Sequence, residues 1–379
     1  MRVLHTEWSM GWGGQEIRIL SEMKAFRAMG VEMEIACREG SQIADQAGKA
    51  GFRVYLLPFS SRLDPATIFG LRNIVRANKI SLIHAHSSVD GWCSGWTGKL
   101  FGIPVVRSRH LSSRVRPGLN ARIVYDWLVD AVISSGRHIR DHLVENCHCH
   151  AAKHFSIPAG ADHERFSPAV DASQVRKEFA LDNYSHVIGI VAVLRSWKGH
   201  RILLEACAKL LDHFPRLVLF VVGDGPLRER LPEWVSELGL SGHVILAGHR
   251  DDVPACMKAM DVCVLPSLKN EATSQVMPQA MLVGTPVICS SAGGLTEVVT
   301  DGVTGRVVSP GDAIALSTAL DDCLKSTEKT TRMAQCAYEY ALRNLTFERQ
   351  VDRTIEVYHR VVGDHSAVGS RINSSKSCR

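Results

Sequence analysis

The 379-residue chain lacks any window of about 18 consecutive apolar residues, the length a membrane-spanning helix needs. Its first residues, Met1-Arg2-Val3-Leu4-His5, also lack the order of a secretory leader, a charged stretch followed by a long apolar one. A cytoplasmic protein is the expectation. Acidic residues are missing between Asp90 and Asp126, a stretch that carries Lys99, Arg107, Arg109, Arg114, Arg116 and Arg122. Residues 1–170 hold 21 Lys and Arg against 15 Asp and Glu, and residues 171–379 hold 23 against 24, so the positive excess lies in the first half. Two readings of the basic stretch stay open at this point: solvated faces around a loop, or a surface for an anionic partner. Cysteine is not scarce, but its eleven copies are an odd number set in apolar runs such as Val262-Cys263-Val264 and Val287-Ile288-Cys289. They read as small buried hydrophobes in a reducing compartment, with no structural disulfide.

What is present is ordinary globular material, 45% apolar and 22% charged. At about 100–200 residues per domain the length divides into two. Short apolar runs alternate with amphipathic stretches, the pattern of strands and crossover helices in parallel α/β sheets. The first series of strands falls near Val3–Thr6, Val31–Cys37, Val54–Leu57, Leu82–Ala85, Val105–Arg107 and Ala131–Ser134. The series restarts near Val187–Val193, then Leu217–Val222, His243–Leu246, Val262–Leu265, Pro286–Cys289 and Gly305–Val308. The polar stretch Asp162–Asn183 separates the two, which predicts Rossmann-like domains over 1–168 and 169–345, each about the size of one such unit. A helix over 346–362 is expected to return to the first domain, and the Ser-rich residues 363–379 to be disordered.

Ligands of such sheets bind at the carboxyl ends of the strands. Glycines fall there: Gly11, Gly13 and Gly14 after the first strand, Gly199 after the restart strand, and Gly223 and Gly225 after the next. The most informative segment is LPSLKNEATSQVMPQAMLVGTPVICSSAGGLTEVVTDGVTGRVVSP, Leu265 to Pro310. A strand ends at Leu265-Pro266-Ser267, a polar loop holds Glu271, and a helix is expected from about Ser274. Free amides at a helix start attract phosphate, and a nearby carboxylate holds sugar hydroxyls. Ala292-Gly293-Gly294 is a second small-residue turn that allows backbone to approach a ligand.

The whole segment resembles the donor-site signature of glycosyltransferase family 4, a large group of retaining glycosyltransferases of the GT-B fold. That signature has a Glu, seven residues and a second Glu. Glu271 matches the first and Gln279 stands at the second. Gly284-Thr285-Pro286-Val287, Gly293-Gly294, Glu297-Val298-Val299 and Asp301-Gly302-Val303-Thr304-Gly305 follow in the family's order. Gly223-Asp224-Gly225-Pro226 is similar to its donor-domain glycine turn, Ile157–Asp162 with Phe166-Ser167-Pro168 to its interdomain passage, and Gly11-Trp12-Gly13-Gly14-Gln15 to its acceptor-domain glycine loop. The likeness runs over about residues 1–362.

This resemblance implies two facing Rossmann-like domains with a cleft between them, and a metal-independent, retaining sugar transfer. Arg195 and Lys198 resemble the pair that family members place on the donor diphosphate, at a shorter spacing than usual. Two cations there neutralise charge on the leaving diphosphate, the work that other transferases assign to a divalent metal. Glu271, Gly225, Thr273, Ser274, Gln275, Val276 and Gln279 complete the implied donor site. His110 stands where the family often has a cleft histidine, and Gly13, Gly14 and Gln15 belong to the acceptor side. Gln279 replaces a ribose-binding carboxylate; its amide still accepts, but a charged acceptor makes a bond about twice as strong.

The start of the chain and Arg107–His110 most resemble bacterial enzymes that build lipopolysaccharide and other surface polysaccharides. This implies a nucleotide-sugar donor, with a UDP-sugar favoured, and a saccharide or lipid-linked acceptor. It also implies peripheral contact with an anionic inner membrane through the basic stretch, and no nucleic-acid partner. Two alternatives keep the fold: a sugar-nucleotide epimerase, and a non-catalytic sugar-nucleotide-binding subunit suggested by Gln279. A dehydrogenase is disfavoured because no G-x-G-x-x-G follows the first strand of either half. Cys147-His148-Cys149-His150, with His138, His142 and His154, has zinc-ligand residue types but not the paired spacing of a structural zinc site. Asp251-Asp252 reads as a helix N-cap and first turn.

Overall fold

A computed structural model describes residues 1–110, 113–269 and 271–376, with side chains through residue 363 and at His365. The chain divides into two compact units, Met1–Pro158 with Gln350–Arg379, and Ala159–Arg349. The passage falls at Pro158, ahead of the expected residue 168. Ala161 already belongs to the second unit, where its N–H bonds the Leu345 carbonyl and its own carbonyl accepts from Phe347.

The first unit holds a seven-stranded parallel sheet of β1 (Arg2–Glu7), β2 (Glu32–Arg38), β3 (Arg53–Leu57), β4 (Leu82–Ala85), β5 (Val105–Arg109), β6 (Ala131–Ser134) and β7 (His154–Ser156), in the order 3-2-1-4-5-6-7. The six apolar runs of the first half are the first six strands. β7 lacks an apolar run because only three residues pair with β6, and it sits within the Cys/His stretch. The second unit holds β8 (His186–Val191), β9 (Leu217–Val222), β10 (Val244–Gly248), β11 (Val262–Leu265), β12 (Val287–Ser290) and β13 (Arg306–Val308), in the order 10-9-8-11-12-13. The strands read as continuous apolar runs because helices cover both faces of a parallel sheet. β9, for example, is buried at all six positions.

Both sheets reverse their strand order once, between β1 and β4 and between β8 and β11. At such a switch point the adjoining loops diverge and leave a crevice at the carboxyl ends of the strands. The core of the second unit packs β8, β9, β11 and β12 against Leu203, Cys207 and Leu210, from the helix His200–Leu210, and against Met277 and Met281, from the helix Val276–Val283. The core of the first unit includes Val351, Val357, Tyr358 and Val361 of the last helix, Phe347–Lys376. That helix continues through Lys376, across residues expected to be a disordered tail from 363; residues 377–379 lie outside the described residues. The i, i+3 and i+4 spacing of its apolar residues docks it on the first unit, and the Ser-rich end extends the same helix. The ten cysteines among the described residues are free, and nine of them are buried.

Candidate functional site

In the second unit, the loops after β8 and β11 meet at the switch point. Arg195, Ser196, Trp197 and Lys198 form a short turn whose Trp197 carbonyl accepts the Leu268 N–H at 2.7 Å. This backbone bond brings Lys198 to the β11 loop. Lys198 Nζ donates to Glu271 Oε1 at 2.6 Å, and Ser267 Oγ donates to the same oxygen at 2.6 Å. Glu271 is buried, and an ionised carboxylate is tolerable there because a cation and a hydroxyl meet it. Arg195 stays exposed, its guanidinium 5.1 Å from the Trp197 ring centroid, so one cation of the pair is anchored and the other faces solvent.

Backbone shape holds this loop in place. Gly293 adopts φ +59°, and a Cβ there would lie 2.0 Å from the Glu271 carbonyl oxygen, which accepts the Gly294 N–H. The glycine pair thus lets the second turn close directly onto the Glu271 backbone. Gly225, at φ +152°, packs against the loop after β8, where a Cβ would lie 2.9 Å from the Leu194 nitrogen and would not fit.

The helix starts at Val276 with Gln275 as its N-cap, two residues after the expected Ser274. Ser274 Oγ accepts the Val276 N–H at 3.3 Å. Thr273 Oγ accepts from Ala159 N at 3.4 Å, and the Gln275 amide donates to the Gly160 carbonyl at 3.3 Å. These two side chains therefore tie residues 159–160 to the helix entrance. Gln279 lies one turn into the helix and is half-buried.

In the first unit, the loops after β1, β4 and β5 surround a cavity of about 710 Å³ lined by Trp8, Gln15, Ser87, Arg107, His110 and Tyr125 among others. Gly13 and Gly14 open the helix Gly14–Ala28, and the Gly13 N–H donates to Glu16 Oε2 at 2.9 Å. Gln15 Nε2 donates to Glu7 Oε2 and to Ser87 Oγ, each at 2.6 Å. Burial first, and then the charge of Asp90, push the Glu7 carboxyl up to about 7; hydrogen bonds from Ser87, Ser9 and Gln15 act in the opposite sense. Glu7 is buried behind the cavity, bonded to the lining residues Gln15 and Ser87, and its sequence spacing assigned it no role.

His110 closes a set of histidines absent from the expected site. His5 Nδ1 lies 2.8 Å from His86 Nε2, and His86 Nδ1 lies 3.0 Å from His110 Nε2. His84 bonds Tyr358 Oη at 2.6 Å and Ser108 Oγ at 2.8 Å. Burial holds His5 down to about 3 and drives His84, His86 and His110 well below the usual imidazole range. The period-two spacing of His84 and His86, with His5 on the adjoining strand, was the available signal. His5, His84 and His86 offer nitrogens close enough together for a metal ion. Those of His84 are committed to Tyr358 and Ser108, one from each of His5 and His86 to their shared bond, and the positive charge of Arg18 bears on His84 and His86. The set is therefore read as a hydrogen-bonded file of neutral rings.

The Cys/His stretch is drawn into other contacts. His142 bonds the Val115 carbonyl, His150 the Asp126 carboxylate and His154 the Tyr125 carbonyl. Asp252 precedes the helix Val253–Lys258 as expected of an N-cap, but its carboxylate takes the Arg250 guanidinium instead of a backbone N–H. Of the basic stretch, Arg107 is buried against Tyr125 and Arg109 bonds Tyr125 and Ser113, while Lys99, Arg114, Arg116 and Arg122 are exposed.

Two family models match the chain: "Glycosyltransferase Family 4" over residues 12–165 and "Glycosyl transferases group 1" over residues 171–340. A D-inositol 3-phosphate glycosyltransferase of Stackebrandtia nassauensis is 26% identical, covering 96% of this chain and 90% of that protein. The UDP-Gal:alpha-D-GlcNAc-diphosphoundecaprenol alpha-1,3-galactosyltransferase of Escherichia coli is 24% identical, covering 84% of this chain and 87% of that protein. Among solved structures, a glycosyltransferase from Rickettsia africae superposes with a TM-score of 0.87 at 19% identity over 95% of this chain and 98% of that one. Anabaena Alr3699/HepE in complex with UDP does so with 0.81 at 23% identity over 94% and 100%. The two models together span most of the sequence, each on its own Rossmann-like unit, and the chain therefore belongs with the family 4-like glycosyltransferases of the GT-B fold.

Proposed function

We propose that this glycosyltransferase moves a sugar from a nucleotide-sugar donor, a UDP-sugar in preference, to a saccharide or lipid-linked acceptor in surface polysaccharide assembly, including that of lipopolysaccharide. The observation that carries the reading is the Lys198–Glu271–Ser267 cluster beside exposed Arg195, at the switch point of the second sheet. It supplies cations for a diphosphate and a carboxylate for sugar hydroxyls within one crevice. As the bond to the anomeric carbon lengthens, negative charge builds on the leaving diphosphate, and fixed cations lower that barrier most because they need no reorganisation. We read the reaction as retaining and independent of a divalent metal, with the leaving phosphate taking the acceptor proton. The UDP-bound Anabaena structure and the UDP-Gal-dependent relative support a UDP-sugar donor.

Thermal stability against UDP, GDP, ADP, CMP and TDP tests this, with and without chelator. A ligand at a hundred times its dissociation constant adds about 2.7 kcal/mol. UDP alone is expected to raise the melting temperature, unaffected by chelator, and Arg195→Ala to remove the gain. No stabilisation by any of the five would sink the donor site as assigned. Gln279 motivates a second reading, a non-catalytic sugar-nucleotide-binding subunit: such a protein would show the UDP shift without transfer or donor hydrolysis, and Gln279→Glu would leave it silent.

Peripheral contact with an anionic membrane is supported by exposed Lys99, Arg114, Arg116 and Arg122, near in sequence to exposed Leu100, Leu119 and Trp127. No helix among the described residues is long and apolar enough to cross a membrane. Each basic residue near an anionic surface contributes about 1 kcal/mol. Co-sedimentation with phosphatidylserine vesicles is expected at low salt and to be lost in Arg114→Ala/Arg116→Ala/Arg122→Ala. Equal pelleting of both proteins would remove the membrane from the proposal.

A further inference from the structure

Where three segments of the first unit meet, several donors converge on one buried carboxylate. Glu7, the last residue of β1, accepts the N–H groups of Trp8 and Ser9 at Oε1, each at 2.9 Å. Ser87 Oγ, from the loop after β4, lies 2.6 Å from Oε1 and 2.8 Å from Oε2. Gln15, in the first turn of the helix Gly14–Ala28, reaches across from the third side. Its Nε2 donates to Glu7 Oε2 and to Ser87 Oγ, each at 2.6 Å.

The direction of the Gln15 amide follows from the chemistry of its partner. An ionised carboxylate only accepts, so a reversed amide would set its carbonyl oxygen against Glu7 Oε2, lone pair against lone pair, in a buried place. Both Nε2 hydrogens are therefore taken up by Glu7 and Ser87, and the carbonyl oxygen is the end left over. Among the described residues Gln15 Oε1 has no hydrogen-bond partner, and it is open to solvent. The side chain crosses from the helix to the β4 loop as part of the cavity wall, since Gln15 and Ser87 both line the cavity. The solvent that Oε1 meets is that of the cavity.

We propose that Glu7 is a positioning residue that locks Gln15 with its carbonyl oxygen toward the cavity, so that this wall accepts a hydroxyl hydrogen and rejects an anionic oxygen. An amide free to rotate serves a donor and an acceptor equally well. This one is committed, because reversing it would leave Glu7 and Ser87 without their donor. A saccharide hydroxyl satisfies Oε1, whereas a phosphate or carboxylate oxygen brought to the same point finds no hydrogen there. A site built to bond a hydroxyl discriminates strongly against a group that lacks one, which makes Gln15 a specificity-determining residue. That the occupant is a saccharide rests on the sugar-transfer reading; the orientation of the amide does not.

The test is exchange of side-chain amide hydrogens with water, read by NMR on the full chain with 15N-labelled glutamine at pH 8, above the Glu7 value of about 7. Gln15→Ala identifies the resonance. Both Gln15 hydrogens are expected to exchange about tenfold more slowly than those of Gln42 and Gln46, exposed residues of the same unit. Exchange as fast as in those two overturns the proposal. Glu7→Gln must keep an oxygen toward Trp8 and Ser9, which turns its own amide nitrogen against Gln15 Nε2; Gln15 is then expected to reverse and its hydrogens to exchange freely. Gln15→Glu alone sets two carboxylates together and is expected to lower the melting temperature by about 5 °C. The double variant Glu7→Gln/Gln15→Glu again faces an N–H with a carboxylate and is expected to recover most of that loss. A double variant no more stable than Gln15→Glu overturns the pairing, and should Glu7→Gln not fold, the wild-type exchange rates decide.

For the occupant, the probes are the methyl glycosides of glucose, galactose, mannose and N-acetylglucosamine, and inorganic phosphate. The Gln15 signal is expected to move with at least one sugar and not with phosphate. Movement with phosphate alone, or with none of the five, overturns the hydroxyl assignment. Absence of nucleotide stabilisation in the wild type would count against the sugar-transfer reading and leave the exchange result standing.

Discussion

Lys198→Met is expected to destabilise the second unit by about 3 kcal/mol and to abolish stabilisation by a nucleoside diphosphate. The side chain of Glu271 is 6% exposed and that of Lys198 18%, so removing the cation strands a carboxylate away from water. Breaking a buried pair on one side costs about 3–5 kcal/mol, and the residual exposure of Lys198 places this case at the low end. Glu271→Gln alone leaves a partly solvated lysine and is expected to cost less. The double variant Lys198→Met/Glu271→Gln is expected to recover most of the stability, because neutral groups of similar shape carry no desolvation penalty. Nucleotide binding is expected to stay lost in all variants lacking Lys198, since a charge-assisted bond to phosphate is worth about 1.5–3 kcal/mol, or roughly ten- to a hundredfold in affinity. Chemical denaturation and thermal shift on the four proteins separate the two effects. If the double variant were as unstable as Lys198→Met, the pair would not be the source of the cost.

Mild acid is expected to unfold the first unit before the second. The sign follows from the depressed imidazoles. A histidine whose folded pKa lies below its unfolded value of about 6.5 contributes stability that is present above pH 6.5 and is lost as the pH falls toward the folded value. Below pH 6.5 each such ring costs about 1.4 kcal/mol per pH unit until its folded pKa is reached. For His5, held down to about 3 by burial, the loss between those limits is about 4–5 kcal/mol, comparable to the whole margin of a marginal domain. His84, His86 and His110 act in the same direction, as does His154, lowered to about 4. In the second unit His200, also lowered to about 4, is the counterpart among the resolved shifts.

Glu7 has the opposite slope. Its folded value near 7 lies above the unfolded 4.5, so its contribution is full below 4.5 and is lost as the pH rises through 7. The first unit should therefore be most stable near pH 6.5–7. Hydrogen exchange followed by mass spectrometry from pH 7 to 4.5, corrected for intrinsic rates, reads each unit separately. Protection of β1, β4 and β5 is expected to collapse while β8, β9 and β11 remain protected; simultaneous loss would refute the assignment to the histidine set.

Much of the fold is legible in the sequence. Every apolar run placed as a strand is a strand, because covered parallel strands must be apolar on both faces. The exception is informative: β7 is three residues of His154-Phe155-Ser156, too short and too polar for its composition to announce it. The same stretch supplied the metal-like Cys/His spacing, and its residues instead pair with backbone carbonyls and Asp126. The last helix extends through Lys376 although serine and charge suggested an unstructured end from 363. Composition measures how much apolar surface a segment can bury, and not whether a docked helix continues beyond its buried face.

The residues proposed for the donor side are close in sequence: Glu271, the turn at Gly293-Gly294 and the start of the helix at Val276 lie within one continuous segment. The bond from Lys198 to Glu271 spans 73 positions in sequence, and the file His5–His86–His110 joins residues 81 and 24 positions apart. No period or motif encodes those distances. The sequence by itself determined which segments become strands, where the glycine turns fall and which residue types they carry. The tertiary structure alone decided that β1 lies beside β4 and β8 beside β11, because strand order follows from where the crossover helices pack and not from the local pattern of any strand.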